Sequence, residues 1–239
     1  GRGVNSSLRP GRSSTGGQAR RGLLECAMPY VFIFPLLAVS ILLAAPASAQ
    51  ILVPLTTPDG RVACTQGLTG IGRPPAWQAI ADPDGPSGWA LAETVAEPND
   101  LRFPLCINEQ AVLRNLDATL RFKPISGVRA RVAGFMFRAQ SANDYYVVRA
   151  DALDGSVRLY RMETGKRRQI GGKEVPIESG KWHSLRTIAV GDHFEVMLNG
   201  ESLFKATDRT LLHPGAMGAW SQADSVTHYG SLLVNIPPR

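Results

Sequence analysis

Three cysteines and four histidines in 239 residues leave little material for metal or redox chemistry. No Cys-x-x-Cys and no His-Glu-x-x-His occurs, and His183, His193, His213 and His228 lack ligand spacing, which argues against zinc. They read as surface or sheet-edge imidazoles. Asp82-Pro83-Asp84-Gly85 superficially resembles a calcium loop but lacks the third ligand and the terminal Glu, so it reads as a turn. No cofactor is expected, and no motif supports calcium, the one ion left open. The Gly-x-Ser-x-Gly nucleophile elbow is also missing. Cys106 and His183 could be imagined as a nucleophile pair, but they read as a core or disulfide Cys beside a strand-edge His. Helical periodicity is absent too: no window of 12 or more residues after residue 49 shows it convincingly.

What is there begins with a leader. Arg20 and Arg21 precede an apolar run over residues 28–45, followed by Ala47-Ser48-Ala49. A positive region, an apolar region and a small-residue cleavage site are the layout of a secretory signal peptide, cleaved before Gln50. The expected location is the periplasm or the extracellular space. The alternative is an uncleaved membrane anchor, because the run is nearly long enough to span. Pro35 and the Ala-Ser-Ala ending favour cleavage. Arg20-Arg21-Gly22-Leu23-Leu24 resembles a twin-arginine export signal, although Ala19 and Glu25 depart from its usual flanks.

The leader also explains the basic charge. Five arginines against one glutamate give residues 1–49 a net +4, which leaves +2 of the chain's +6 to residues 50–239. The charge is therefore no argument for nucleic acid. Lys166-Arg167-Arg168 is the one dense basic cluster that remains. It follows Gly165 and reads as a solvated hairpin turn, with an anionic-ligand patch as the alternative. Cys64 and Cys106 are the two cysteines after the leader. In an oxidising compartment they can pair, and the sequence leaves that open.

The remaining 190 residues suffice for one packed domain, and no linker or repeat divides them. Residues 51–73 are mixed and turn-rich, and residues 74–89 read as loops anchored by Trp77 and Trp89. From Leu116 the period is two. Leu116, Ala118, Leu120 and Phe122 alternate with Asp117, Thr119, Arg121 and Lys123, a half-buried strand ended by Pro124 and Gly127. Strands follow over residues 133–139, 145–150, 156–162, 182–190, 194–198, 215–221 and 226–234. Asn199-Gly200 predicts a two-residue hairpin turn. Many short strands at this spacing imply a sandwich or barrel.

Several segments carry a resemblance. They include Arg102-Phe103-Pro104-Leu105, Leu120-Arg121-Phe122-Lys123-Pro124, Gly134-Phe135-Met136-Phe137-Arg138 and Asp144-Tyr145-Tyr146-Val147-Val148-Arg149. Val157-Arg158-Leu159-Tyr160-Arg161, Gly180-Lys181-Trp182-His183 and Ala219-Trp220-Ser221-Gln222-Ala223-Asp224-Ser225-Val226-Thr227 continue it. In this order they resemble a group of secreted bacterial proteins with a concanavalin A-like, laminin-G-like jelly roll. The group neighbours the 3-keto-disaccharide hydrolases, which are labelled as similar to family-16 glycoside hydrolases. The resemblance implies an all-β sandwich of two antiparallel sheets over residues 50–239. Two positions depart from the group: Gln222 stands where a Lys is usual, and Tyr229-Gly230-Ser231 where an aromatic precedes two acids.

A glycosidase needs two carboxylates at a set separation. The strand pattern Glu-x-Asp-x-x-Glu of the family-16 type does not occur. The acid pairs present, Glu174 with Glu178, Asp151 with Asp154, and Glu93, Glu97 and Asp100, read as solvated surface. A sugar-binding surface remains, built from aromatic platforms and planar polar groups. Its candidates are Arg138, Tyr145, Arg149, Tyr160, Trp220 and Asp224. Strand parity places Arg138 and Arg149 on the concave face in one groove with Trp220. The structural alternative is an internal Arg–acid pair with Asp151 or Asp224. The expected function is an exported, non-catalytic carbohydrate-binding or interaction module with a saccharide partner. A glycoside hydrolase or lyase and a structural envelope protein are the alternatives. Membrane contact is expected only through an uncleaved leader.

Overall fold

Alternating apolar and polar residues can bury one face of each strand only if two such faces meet. The computed structural model, which describes residues 50–85 and 87–237, meets this requirement with two antiparallel sheets. The signal peptide expected over residues 1–49 lies outside the described residues.

The eight-stranded sheet runs β13 (Glu201–Thr207), β12 (His193–Leu198), β11 (His183–Val190), β6 (Leu116–Ser126), β15 (Val226–Asn235), β4 (Trp89–Glu93) and β3 (Trp77–Ala81). Its remaining strand, β1 (Gln50–Val53), pairs with the end of β15. The seven-stranded sheet runs β10 (Lys166–Glu174), β9 (Ser156–Glu163), β8 (Asp144–Asp151), β7 (Val132–Ser141), β14 (Gly215–Trp220), β5 (Arg102–Leu113) and β2 (Thr65–Gly70). Among the described residues there is no helix.

The main core lies between the sheets. Leu116, Ala118, Leu120 and Phe122 of β6 face Phe135 and Phe137 of β7, Tyr146 and Val148 of β8, and Leu159 of β9. Cys64 and Cys106 are bonded at a Cα separation of 5.3 Å and join the segment before β2 to β5. Asn199 and Gly200 form the tight turn between β12 and β13, both at positive φ (52° and 85°), as the Asn-Gly pair predicts.

Three sequence expectations are corrected. Residues 65–93 hold strands β2, β3 and β4 rather than loops alone, and Trp77 is buried against Tyr229 at 5.4 Å between ring centroids. Strand β6 continues through Pro124 to Ser126, because Pro124 sits beside a register shift against β15. Lys166, Arg167 and Arg168 are not a turn. Thr164 and Gly165, at φ 49° and 76°, make the turn, and the three cations open edge strand β10. The Asp82 turn is held by charge: its carboxylate lies 2.6 Å from both Lys123 Nζ and His228 Nδ1.

Candidate functional site

The seven-stranded sheet has a second apolar face, directed away from the main core. Phe103 and Leu105 of β5, Met136 of β7, Tyr145 and Val147 of β8, Tyr160 and Met162 of β9, and Trp220 of β14 form it. Period two dictates this: Tyr145, Val147 and Arg149 alternate with the core residues Tyr146, Val148 and Ala150.

The face is strongly concave. Strands β10 and β5 are five places apart, roughly 24 Å across a flat sheet. Yet the Arg167 guanidinium carbon of β10 lies 4.9 Å from the Phe103 ring centroid of β5. The Thr69 hydroxyl of β2 likewise meets the Tyr145 hydroxyl of β8 at 2.8 Å. The sheet must curl for side chains this far apart in strand order to touch.

Within this hollow the rings form tiers. Trp220 donates its indole N–H to the Tyr145 hydroxyl at 3.0 Å, and Phe103 stacks on Trp220 at 5.4 Å and 17°. Gly134 makes room for the indole: a Cβ there would sit 3.3 Å from Trp220 Cε3 and 2.7 Å from the Val148 carbonyl oxygen. Burial pushes the Tyr145 hydroxyl up to about 12 despite its bonds to Thr69 and Trp220. Arg167 lies over both Phe103 and Tyr160, 4.7 Å from the latter's centroid, and donates to Gln222 Oε1 at 2.9 Å. A Lys in place of Gln222 would set two cations against each other.

Arg149 lies beside Tyr160, its guanidinium carbon 5.7 Å from the ring centroid. It donates to Asp151 Oδ2 at 2.9 Å and to Asp154 Oδ2 at 3.3 Å. Burial works against its charge, but Tyr160, Asp151 and Asp154 more than offset this and hold the guanidinium above the usual arginine value. Arg158, directly across from Arg149 in register, donates to Glu174 at 2.6 Å. Asp151, Asp154 and Glu174 on this side of the sheet are thus each engaged by an arginine.

The six residues singled out in the sequence divide. Tyr145, Arg149, Tyr160 and Trp220 share the concave face. Tyr145 and Trp220 are fully buried, however, and form its floor rather than open platforms. Tyr160 and Arg149 keep 8% and 6% exposure. Arg149 also makes the internal pair with Asp151 that was the structural alternative.

Arg138 is a correction. Its backbone is at φ 52°, inside the register shift between Phe137 and Ser141, and this bulge breaks the alternation that placed it beside Met136. It is fully buried on the core side, its guanidinium carbon 5.9 Å and 5.5 Å from the Tyr146 and Phe194 ring centroids. It donates to the carbonyls of Arg114 at 2.6 Å and Leu211 at 3.3 Å, and burial lowers its pKa from the usual arginine value. It shares no groove with Trp220.

Asp224 is engaged by backbone. It accepts backbone N–H bonds from Val128, Arg129 and Ala130 at 2.9, 3.0 and 3.2 Å and so clamps the β6–β7 loop. Burial opposes its ionisation, yet these three donors hold its carboxyl below the usual aspartate value.

Arg167, Phe103 and Gln222 are the site residues that sequence reasoning missed as such. Arg167 had a signal in its basic cluster. Phe103 and Gln222 had none beyond their place in the resemblance.

No protein-family model matches the chain, and no curated protein sequence matches it. Among solved structures, the carbohydrate-binding module CBM66 from Bacillus subtilis superposes with a TM-score of 0.55 at 21% identity, covering 70% of this chain and 93% of that one. A Bacillus subtilis protein of unknown function with a galectin-like fold superposes at 0.53 and 11% identity, covering 72% and 89%. At such identities the likeness is one of fold, a jelly-roll sandwich of two antiparallel sheets.

Proposed function

We propose that the protein is a non-catalytic saccharide-binding module whose ligand lies on the concave face of the seven-stranded sheet. One observation carries this reading: Tyr160 and Phe103 rings and the Arg149 and Arg167 guanidinia converge in a hollow. Rings meet the apolar faces of sugars, and guanidinia meet their hydroxyls. The fold likeness to a carbohydrate-binding module points the same way. Engagement of Asp151, Asp154 and Glu174 by arginines favours binding over hydrolysis, which requires one carboxylic acid and one free carboxylate. A glycan-array screen with product analysis on every binder is the test. Tyr160→Ala should weaken binding of the best ligand by tenfold or more at unchanged fold, as expected for a lost ring contact. Array-wide silence, binding indifferent to Tyr160→Ala, or cleaved product would each overturn the reading.

Export belongs to the same proposal. The leader's layout and a disulfide joining residues 42 apart both suit an oxidising compartment outside the cytoplasm. N-terminal sequencing of exported protein should begin at Gln50; retention of residues 36–43 would support an anchor instead.

A further inference from the structure

The three concave-face arginines are unequally supplied with counter-charge. Arg149 engages two carboxylates, Asp151 and Asp154. Arg158 engages one, Glu174. Arg167 has no carboxylate within 4 Å among the described residues; its one side-chain hydrogen bond is to the neutral Gln222. The acid that bears on it from a distance, Asp100, is taken by Arg129.

Arg167 also sits, unlike Arg149, where its surroundings work against its charge. As a residue it is exposed, but its guanidinium end is flanked by the Phe103 and Tyr160 rings. Desolvation there holds it below the usual arginine value. A cation partly stripped of water and lacking a counter-ion gains most from a ligand that brings one. Lys166 and Arg168 flank Arg167 on the edge strand but alternate to the opposite face, so Arg167 is the cation of this cluster that the hollow receives. At the other end of the face, the Asp154 carboxylate is partly exposed beside Arg149 and would accept from a sugar hydroxyl. The hollow is therefore polarised, cationic toward β10 and acceptor-rich toward the β8–β9 turn.

We infer that the groove takes an acidic saccharide, one bearing a uronate carboxylate, and that Arg167 meets this carboxylate while the ring of the same sugar packs against Tyr160. The inference rests on the saccharide-binding reading above and names its ligand class. A planar guanidinium set against two rings, with a single side-chain hydrogen bond of its own, suits a planar carboxylate.

The test pairs each uronic-acid oligosaccharide on the array with its carboxyl-reduced counterpart, which has the same linkage and no charge. The intact protein should bind the acidic form at least tenfold more tightly, with affinity falling as salt rises from 50 to 300 mM. Arg167→Gln should reduce the acidic form to the level of its reduced counterpart, and Arg167→Lys should recover part of the difference. Thermal unfolding of both variants checks the fold, and the comparison of ligands on the unsubstituted protein stands without either variant. Binders that are all neutral, or a matched pair bound equally, would overturn the acidic class and leave saccharide binding standing. An array with no binder at all would overturn both.

Discussion

Arg102 should be the costliest single side chain to remove near the concave face. It is completely buried, and its carboxylate partner Glu93 is 1% exposed. The pairing is bidentate, Nη1 to Oε2 at 3.0 Å and Nη2 to Oε1 at 3.1 Å. The remaining N–H groups donate to the carbonyls of Arg73, Val95, Ala223 and Pro74, so one guanidinium ties β4, β5 and the segment after β14 together. Arg102→Ala would leave Glu93 buried with only the backbone N–H groups of Ala76 and Val95 on Oε1. Breaking a buried pair from one side costs about 3–5 kcal/mol. For a domain of this size that is a fall in Tm of roughly 6–20 °C. Urea unfolding of the oxidised protein measures it directly. The double variant Glu93→Leu with Arg102→Met should lose much less than the sum of its single changes, because it leaves no unpaired charge. If Arg102→Ala stays within about 1 kcal/mol of the unsubstituted protein, the ion pair is not the organising contact it is taken for here.

Other outcomes follow from the same physics. Asp224→Ala should cost roughly 2–3 kcal/mol at neutral pH, read by urea unfolding, because three N–H groups lose a charged acceptor. The folded-state pKa of Asp224 is depressed, so its contribution is complete above the unfolded value of about 4 and disappears as pH falls through the folded value. Asp82 and Asp208 are depressed too and add to this acid limb, which should be shallower in Asp224→Asn when Tm is followed from pH 5 to pH 2. Reducing Cys64–Cys106, whose sequence separation is 42, should cost about 4 kcal/mol on chain-entropy grounds, seen as a lower urea midpoint in dithiothreitol. Arg138→Met should lower stability by roughly 1–3 kcal/mol, through two carbonyls left without a donor, while saccharide affinity by calorimetry stays unchanged.

Much of the fold was legible because its signal is local. Strands β6, β11, β12 and β15 alternate in period two, β7 to β9 and β14 are short β-type runs between turn signals, and Asn199-Gly200 names its own turn. Strands β2 to β4 were not legible, since they are five or six residues long and lie among glycines and prolines. Their strand character comes from pairing: β2 runs beside β5 with Thr65 opposite Ile107 and Gly70 opposite Arg102, and no short window of sequence contains both. Strand β10 was hidden for a different reason. As an edge strand it pairs on one side with β9 alone, so it tolerates Lys-Arg-Arg where a central strand would require apolar residues.

The site was half legible, and each miss has a definite cause. Parity correctly groups Tyr145 and Arg149 on one face, but it fails at Arg138, three residues after Phe135. A bulge adds residues to one strand, and a bulged arginine carries no mark in the sequence as a glycine would. Parity also says which way a side chain points and nothing about what covers it. Trp220 and Tyr145 do face the hollow, yet both are fully buried, packed with Phe103 and with each other, and the exposed residue against these rings is Arg167. That placement depends on curvature. Arg167 and Phe103 are 64 positions apart in sequence and five strands apart in the sheet, and they meet only because the sheet curls. Curvature is a sum of small twists and bulges over seven strands, and no single residue announces it. The basic cluster 166–168 could therefore be seen from the sequence but not located. Once β10 pairs with β9, the register sets Arg167 opposite Met162 on the concave side and Arg168 opposite Arg161 on the other. Of three adjacent cations, alternation selects Arg167 to face the rings.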